Sequence, residues 1–379
     1  MKFATKAVHA GVEPDPSTGA IMTPIYQTST YVQSSPGHHK GYEYARTQNP
    51  TRNALQASIA ALENGKYGFC FSSGMGAIDT VIKLLNPNDE VVACNDLYGG
   101  TYRIFRRVFE KYGIKFHFVP MEEAENIRTF MNVKTKLVWI ETPTNPLLNI
   151  IDIEAAAKIA HEYGAWLAVD NTFASPYLQT PLDLGADIVM HSVTKYIAGH
   201  SDVVMGALVT NHEDLAQQFA FLQNACGAVP APQDCFLVLR GIKTLHLRMQ
   251  AHCANGEKIV HFLQNHPKID KVWHPSIPSH PNHVIAKKQM RGFGGMLSFT
   301  LKDDSVATAI KVLENFKLFS LAESLGGVES LCGHPATMTH ASIPKIEREK
   351  AGLKDSLIRL SIGIEDTEDL IADLAQALG

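Results

Sequence analysis

A lysine that follows a short apolar segment is the first residue that could do chemistry. Lys195 comes just after residues 187–191, which read as a buried strand, and Ser192 and Thr194 lie beside it in the chain. A lysine partly withdrawn from water has a lowered pKa and can act as an amine nucleophile or a base. Most lysines after strands are simply solvated, but two flanking hydroxyl groups could bind a phosphate oxygen. The segment therefore indicates a reactive amine beside a phosphate.

An aspartate stands at the tip of the preceding apolar segment. Asp170 ends the run 166–170 and is followed by Asn171 and Thr172. A carboxylate at the end of a buried strand is costly unless it meets a cation or hydrogen-bond donors, and a protonated pyridine nitrogen would satisfy it. A cap on the following turn explains Asp170 equally well when this segment is considered alone.

Two further strand ends carry residues suited to a flat, phosphorylated cofactor. The segment around Ser73, Gly74 and Met75 joins a strand to a helix, where free N–H groups and small residues favour a phosphate, although the spacing matches neither nucleotide-binding glycine motif. Tyr98 precedes two glycines and offers a ring for stacking. Each feature alone is commoner in ordinary loops. Together with Asp170 and Lys195, they predict a phosphate cradle, a stacking ring, an acid for a ring nitrogen and an amine for a Schiff base.

Alternating strands and helices must position these residues. Strands are predicted at 68–72, 90–94, 115–119, 136–141, 166–170, 187–191 and 206–210, with helices that begin near Asn53 and span 78–85 and 153–163. This pattern is typical of a mostly parallel seven-stranded α/β sheet, whose ligand sites lie beyond the carboxyl ends of the strands. Residues 26–46 lack a sustained period and predict an extended arm. After about residue 242, the pattern predicts a smaller α+β domain with strands at 296–301 and 357–364.

Composition narrows the classes of function. The chain has 379 residues, of which 45% are hydrophobic, so two packed regions are expected. With 34 Lys and Arg against 38 Asp and Glu, a nucleic-acid partner is not expected. The sequence predicts no signal peptide and no membrane span, which makes the cytoplasm the expected location. The six cysteines lack C-x-x-C spacing, so neither a metal site nor a disulfide framework is expected.

Motifs distributed along nearly the whole chain resemble one known family. In chain order they are Gly41-Tyr42-Glu43-Tyr44-Ala45-Arg46, Asn49-Pro50-Thr51-Arg52, Ser73-Gly74-Met75, Leu97-Tyr98-Gly99-Gly100-Thr101, Glu141-Thr142-Pro143-Thr144-Asn145-Pro146, Val169-Asp170-Asn171-Thr172, Thr194-Lys195-Tyr196, Gly199-His200-Ser201-Asp202, Leu321-Ala322-Glu323-Ser324-Leu325-Gly326-Gly327 and Met338-Thr339-His340-Ala341-Ser342. The chain resembles the Cys/Met-metabolism enzymes that depend on pyridoxal 5′-phosphate. The resemblance implies an aspartate-aminotransferase-like fold, known as fold type I.

The resemblance also implies roles for individual residues around the cofactor. Lys195 would form the Schiff base and catalyse proton transfer, Asp170 would contact the pyridine nitrogen, and Tyr98 would stack on the ring as a second catalytic residue. The remaining cofactor-binding residues would be Gly74, Met75, Ser192 and Thr194 at the phosphate, Asn145 near the phenolic oxygen, and Thr172.

Further roles implied by the resemblance concern the substrate and a neighbouring subunit. Arg359 would bind the substrate carboxylate through its bidentate guanidinium. The other expected substrate-binding residues are Ser324, Glu323, Thr339 and Glu43. Tyr44 and Arg46 would reach the cofactor phosphate of a neighbouring subunit, which implies a dimer that commonly pairs into a homotetramer. The expected divisions are an arm at 1–48, a large cofactor-binding domain at 49–242 and a smaller domain at 243–379.

The activity implied is chemistry at the γ-carbon of sulfur amino acids. Cleavage of cystathionine (γ-lyase) is favoured, and its synthesis from an O-acylhomoserine and cysteine (γ-synthase) is the alternative. Methionine γ-lyases typically carry a cysteine where this chain has Gly99, and β-lyases usually differ at Glu323. Two other hypotheses make distinct predictions: a cofactor-free Schiff-base aldolase predicts an eight-stranded barrel, and a binding module predicts that Asp170, Lys195 and Tyr98 do not share a pocket.

Overall fold

A seven-stranded sheet forms the centre of the protein, and the computed structural model describes residues 1–338 and 352–379. Its strands are β1 (Tyr67–Phe71), β2 (Glu90–Cys94), β3 (Lys115–Val119), β4 (Thr135–Glu141), β5 (Trp166–Asp170), β6 (Ile188–Ser192) and β7 (Gly206–Thr210). They lie in the order β1-β7-β6-β5-β4-β2-β3, and β7 runs antiparallel to both of its neighbours while the others are parallel. The predicted mostly parallel seven-stranded sheet is confirmed, and an open sheet in this order is not a barrel.

Helices cover both faces of this sheet. They are α2 (Pro50–Leu62), α3 (Gly74–Ile82), α4 (Gly99–Arg107), α5 (Ile153–Glu162), α6 (Ser175–Leu178), α7 (Glu213–Cys226) and α8 (Pro232–Ile242), with 3₁₀ turns at Phe109–Tyr112, Ala124–Phe130 and Pro181–Leu184. Several begin at side-chain caps: Asn49 accepts hydrogen bonds from the first turn of α2, and Ser73 accepts one from Gly76 in α3. These caps fix where each chain segment turns from loop or strand into helix.

Burial on both faces explains the apolar strands. All five residues of β2 and all five of β7 are buried, as expected for strands covered on both sides. One hydrophobic cluster packs α3 and α5 on one face around Trp139, and a second packs α2 and α8 on the other face around Leu55 and Val238. The sheet is therefore a rigid platform whose strand ends have fixed spacing.

A second sheet forms the smaller, carboxyl-terminal part. Its strands are β8 (Ile269–Trp273), β9 (Met296–Leu301), β10 (Ser320–Leu321), β11 (Leu331–Gly333) and β12 (Ile358–Ser361), in the order β10-β11-β12-β9-β8. Helices α9 (Leu245–Gln264), α10 (His283–Gln289), α11 (Val306–Asn315) and α12 (Thr367–Leu378) accompany it. Its own hydrophobic cluster includes Phe299, Leu360 and Leu374. The predicted α+β character of this part is confirmed.

The amino-terminal region differs from a uniform arm. Helix α1 (Phe3–His9) packs on the same chain, with Ala7 buried and the Phe3 ring 5.2 Å from the ring of Tyr177. Much of the stretch that follows is exposed, including Val32. The division at residues 48 and 242 stays a prediction. Within the described residues, no helix is both long and apolar enough to cross a membrane.

Candidate active site

A cavity of about 400 Å³ opens at the carboxyl ends of the sheet strands. Of the residues predicted from the sequence, those that line it are Gly74, Met75, Tyr98, Asn145, Asp170, Thr172, Ser192, Thr194, Lys195, Glu323, Ser324 and Arg359. The volume falls in the range of small-molecule sites. Convergence of Asp170, Lys195 and Tyr98 on one cavity contradicts the hypothesis of a binding module in which they lie apart.

Lys195 lies in this cavity with its amine held in place. Its Nζ donates a hydrogen bond to Ser324 Oγ at 2.7 Å. Burial, together with the nearby positive charge of Arg359, lowers the pKa of Lys195 to about 8, although Glu323 acts in the opposite direction. Ser324 has a φ of 96°, a left-handed conformation that is uncommon for a residue with a side chain. Such strain is found where the surrounding structure holds a functional side chain in position.

Two carboxyl groups lie side by side across adjacent strands. Asp170 ends β5 and is in register with Glu141 at the end of β4, and both line the cavity. Asp170 Oδ1 accepts the backbone N–H of Thr172 at 3.0 Å, and Glu141 Oε2 accepts that of Tyr98 at 2.7 Å. Burial raises the pKa of Asp170. It raises the pKa of Glu141 well above its usual value, with a further contribution from the charge of Asp170.

Glu141 is a site residue that the sequence reasoning did not assign. The signal was the same as for Asp170, namely an acid at the tip of a buried strand. Only the register of β4 with β5 shows that the two acids are neighbours.

The start of α3 faces the end of β6. A Cβ atom added at Gly74 would lie 3.2 Å from Ser192 Oγ, so the absence of a side chain keeps this part of the cavity open. The N–H groups of Gly74 and Met75 belong to the first turn of α3, before the intrahelical bonds begin. Thr172 Oγ1 accepts the N–H of Ser192 at 2.8 Å and so links the ends of β5 and β6.

The hydroxyl group of Thr194, which is predicted to bind the phosphate, already forms two hydrogen bonds with the backbone. Its Oγ1 donates to the carbonyl of Met205 at 3.2 Å and accepts the N–H of Met205 at 2.9 Å. The side chain therefore holds the lysine-bearing loop as well as lining the cavity.

Tyr98 stands at the mouth of the cavity with 46% of its surface exposed. It immediately precedes α4, and a Cβ atom at Gly100 would come within 2.4 Å of its ring. The position of the ring therefore depends on a glycine two residues later.

The smaller part of the protein contributes a buried arginine to the same cavity. Arg359 on β12 donates to Asn145 Oδ1 at 2.9 Å and to the carbonyl of Ser324 at 3.1 Å. Burial lowers its pKa, and the charge of the nearby Glu323 opposes that shift. A guanidinium and an exposed carboxylate thus lie at the same end of the cavity.

The remaining predicted residues lie elsewhere. Tyr44, Arg46 and Glu43 do not line this cavity: Arg46 lies over the Tyr44 ring at 5.5 Å and donates to Asn224 Oδ1 at 3.2 Å. Thr339 lies outside the described residues.

The residues present fit pyridoxal phosphate. Asp170 presents an acid to the cavity, and among the described side chains none forms an ion pair with it, which suits a protonated ring nitrogen. The start of α3 with Ser192 suits a phosphate, and a desolvated amine suits an aldehyde.

Comparison with protein families places these features in context. Residues 4–379 match the family described as "Cys/Met metabolism PLP-dependent enzyme". Three curated relatives carry three different names. A cystathionine gamma-lyase of Dictyostelium discoideum is 55% identical, and covers 100% of this chain and 97% of its own. A cystathionine beta-lyase of Coxiella burnetii is 54% identical, with 99% and 97% covered. A cystathionine gamma-synthase of Mycobacterium tuberculosis is 52% identical, with 99% and 96% covered.

A solved structure is similar over the same length. The crystal structure of cystathionine gamma-lyase from Lactobacillus plantarum, complexed with L-serine, superposes with a TM-score of 0.96. It is 47% identical, and the match covers 100% of this chain and 98% of that one.

Proposed function

Since this chain belongs to the Cys/Met-metabolism family of pyridoxal-phosphate-dependent enzymes, we propose that it is a cystathionine γ-lyase. The reaction converts cystathionine and water into cysteine, 2-oxobutanoate and ammonia. The observation that carries the proposal is the presence of both Arg359 and Glu323 in the cavity that contains Lys195. Cystathionine has a carboxylate near the reacting carbon and a second ammonium group at its far end. One fixed cation and one exposed anion are complementary to those groups.

We propose that the cofactor lies between α3 and the ends of β5 and β6. Lys195 would hold it through Nζ, Asp170 would face its ring nitrogen, and Tyr98 would cover its ring. Gly74, Met75 and Ser192 would bind its phosphate, with Thr172 and Thr194 supporting them and Asn145 near its phenolic oxygen. Bound there, pyridoxal phosphate supplies an electron sink for negative charge at the substrate Cα.

Lys195 would move the protons of the reaction. A pKa of about 8 leaves part of its amine neutral near neutral pH, so Nζ can accept a proton from Cα and deliver it further along the substrate. Ser324 Oγ, which accepts the hydrogen bond from Nζ, would steer the amine between those positions. The β proton must also leave before the γ substituent departs, and Lys195 is the base proposed for that step.

Two related activities compete with this proposal. A γ-synthase would admit cysteine instead of water and make cystathionine from an O-acylhomoserine. A β-lyase would cut on the other side of the sulfur and release homocysteine, pyruvate and ammonia. Relatives with each of the two names are more than half identical to this chain, so the distinction rests on an assay.

The decisive assay starts from the purified holoenzyme and cystathionine. We expect cysteine and 2-oxobutanoate as the main products, with a kcat/KM higher than for O-acylhomoserine plus cysteine. Homocysteine and pyruvate would identify a β-lyase instead, and a higher kcat/KM for cystathionine formation would identify a synthase. Lys195→Ala provides the blank, because it removes the amine proposed for cofactor attachment and proton transfer.

The role of Glu323 has its own control. We expect Glu323→Ala to raise KM for cystathionine by about 10-fold, because one charge-assisted contact to the distal ammonium is lost. Glu314→Ala removes an exposed glutamate from α11 and should leave KM unchanged. An unchanged KM in Glu323→Ala would remove the basis for preferring cystathionine.

We also propose that the stretch after α1, in the arm at 1–48, completes the active site of a neighbouring subunit. The large domain would span 49–242 and the smaller domain 243–379. In support, Tyr44 is 45% exposed and lies outside the cavity of its own chain. Arg46→Ala and Lys195→Ala would each be inactive alone. If Tyr44, Arg46 and Glu43 act across subunits, mixed oligomers refolded from the two variants should regain activity, and failure to regain it would contradict the shared site.

A further inference from the structure

A buried polar cluster lies behind the cavity, on the opposite side of the strand ends. Glu63, Asn171, Gln179 and His191 are all fully buried. Glu63 Oε1 accepts hydrogen bonds from Asn171 Nδ2 at 2.8 Å and contacts His191 Nε2 at 2.5 Å. Gln179 Nε2 donates to Asn171 Oδ1 at 3.0 Å and to the carbonyl of Thr142 at 3.2 Å. None of these side chains lines the cavity.

The cluster is attached to the cavity residues through the alternation of the strands. Asn171 follows Asp170, and His191 precedes Ser192. Because successive side chains in a strand point to opposite faces, a residue beside a cavity-lining residue points away from the cavity. The N–H of Asn171 also donates to the carbonyl of Met190 at 2.9 Å, which joins the two strand ends directly. A shift in Asn171 or His191 therefore moves Asp170 or Ser192.

The buried carboxyl group of Glu63 lowers the stability of the core. Among the described residues, its second oxygen, Oε2, has no hydrogen-bond partner, and neither has Nδ1 of His191. A buried carboxyl group with a free oxygen costs free energy that an apolar side chain of similar size would avoid. Polar groups that break local rules in this way are expected where function requires a fixed geometry.

We propose that Glu63 is a positioning residue for the cofactor: it holds the carboxyl ends of β5 and β6 at the spacing that Asp170 and Ser192 need to contact the ring nitrogen and the phosphate. The inference rests on the cofactor-binding roles proposed above for those two residues. In this role Glu63 acts by accepting two hydrogen bonds, and its negative charge is not required. An amide with the same shape should therefore serve almost as well.

The test compares two substitutions at this position. Apoprotein is titrated with pyridoxal phosphate, and the visible absorbance gives the dissociation constant while the visible circular dichroism reports the orientation of the bound ring. We expect Glu63→Met, which keeps the volume but accepts no hydrogen bond, to raise the dissociation constant by about 10-fold, as for other residues that orient ligand-binding groups. The dissociation constant of Glu63→Gln should stay within about 3-fold of the wild-type value, and its dichroism spectrum should be unchanged.

A matched control lies at the other end of the same strands. Asp187 Oδ2 accepts the N–H of Leu167 at 2.7 Å, which links the amino ends of β5 and β6. Asp187→Leu should lower the melting temperature of the apoprotein, but it should raise the dissociation constant of pyridoxal phosphate by no more than about 3-fold. If Glu63→Met and Asp187→Leu weakened cofactor binding equally, the effect would follow from a general loss of stability, and the proposal would be overturned. Wild-type affinity in Glu63→Met, or a Glu63→Gln variant as weak as Glu63→Met, would overturn it as well.

A second pair of variants tests the same contact if Glu63→Met folds poorly. His191→Gln places an amide donor near the position of Nε2, which contacts Glu63, and His191→Leu removes the donor. The dissociation constant should therefore be higher in the leucine variant, and equal values would contradict the proposal. The readout is separate from the reaction. A wild-type protein that binds pyridoxal phosphate but does not cleave cystathionine would refute the proposed function and leave the role of Glu63 intact.

Discussion

The two ends of β5 and β6 both carry an aspartate, in opposite surroundings. At the amino ends, Asp187 accepts a backbone N–H and lies 2.9 Å from both His161 Nε2 and His212 Nε2, each on a half-exposed ring. At the carboxyl ends, Asp170 lies beside Glu141 and faces a cavity, without an ion-pair partner among the described side chains. The amino end satisfies its charge within the chain, whereas the carboxyl end leaves a charge for a ligand to satisfy.

The strongest test of this contrast replaces each aspartate by asparagine. Asp170→Asn should lower kcat by about 100-fold, because the charge that stabilises a protonated ring nitrogen is lost. The same change should raise the melting temperature of the apoprotein at neutral pH. Burial raises the pKa of Asp170, so its ionised form costs stability above that pKa, and an amide relieves the cost.

Asp187→Asn should show the reverse pattern. We expect a loss of about 1 kcal/mol in the free energy of unfolding, from weakened hydrogen bonds, with kcat within about 3-fold of the wild type. Calorimetry of the apoproteins and steady-state kinetics of the holoenzymes give the four values. Loss of activity in both variants, or a destabilised Asp170→Asn apoprotein, would break the distinction between the two ends.

A second prediction sharpens the contrast for lysines. Lys115 at the amino end of β3 has 64% of its side chain exposed, whereas Lys195 is withdrawn into the cavity. Only the neutral amine can react with an aldehyde, and its fraction rises with pH through the pKa of about 8. The rate of covalent cofactor uptake by apoprotein should therefore increase about 10-fold from pH 7 to pH 9 and then level off.

Stopped-flow absorbance measures this uptake directly. A rate that keeps rising 10-fold per pH unit above pH 9 would show that Lys195 titrates as an ordinary exposed lysine. Removing the charge in Arg359→Met should move the midpoint to higher pH, because that charge contributes to the lowered pKa.

The smallest expected effect concerns two glycines near the cavity. Gly100→Ala would place Cβ 2.4 Å from the Tyr98 ring, so the ring must move, and overpacking of this kind should weaken cofactor binding by roughly 5-fold. In Gly76→Ala the added Cβ would lie 3.5 Å from Ala228 Cβ and from Ser73 Oγ, which are ordinary contacts, and cofactor binding should be unchanged. Equal affinities in the two variants would show that the position of Tyr98 is not set by its close packing.

Local sequence predicted much of the sheet because burial on both faces demands apolar residues. Residues 90–94, 115–119, 166–170 and 206–210 have the predicted bounds, and the others shift by one residue, where caps such as Ser73 and hydrogen bonding decide the ends. The helix at 153–163 ends one residue early. The helix predicted at 78–85 instead spans Gly74–Ile82: it begins early because Ser73 caps it, and it ends three residues before the predicted end.

The sequence by itself determined which residues end the strands, and hence Asp170, Lys195 and Tyr98, because residue type and apolar length are local properties. Only the tertiary structure decided which ends are neighbours. The register that pairs Asp170 with Glu141, the approach of Arg359 from a second sheet and the contact of Glu63 with His191 join residues 29 to 214 positions apart. Such contacts depend on strand order and packing, which no periodicity in the chain encodes.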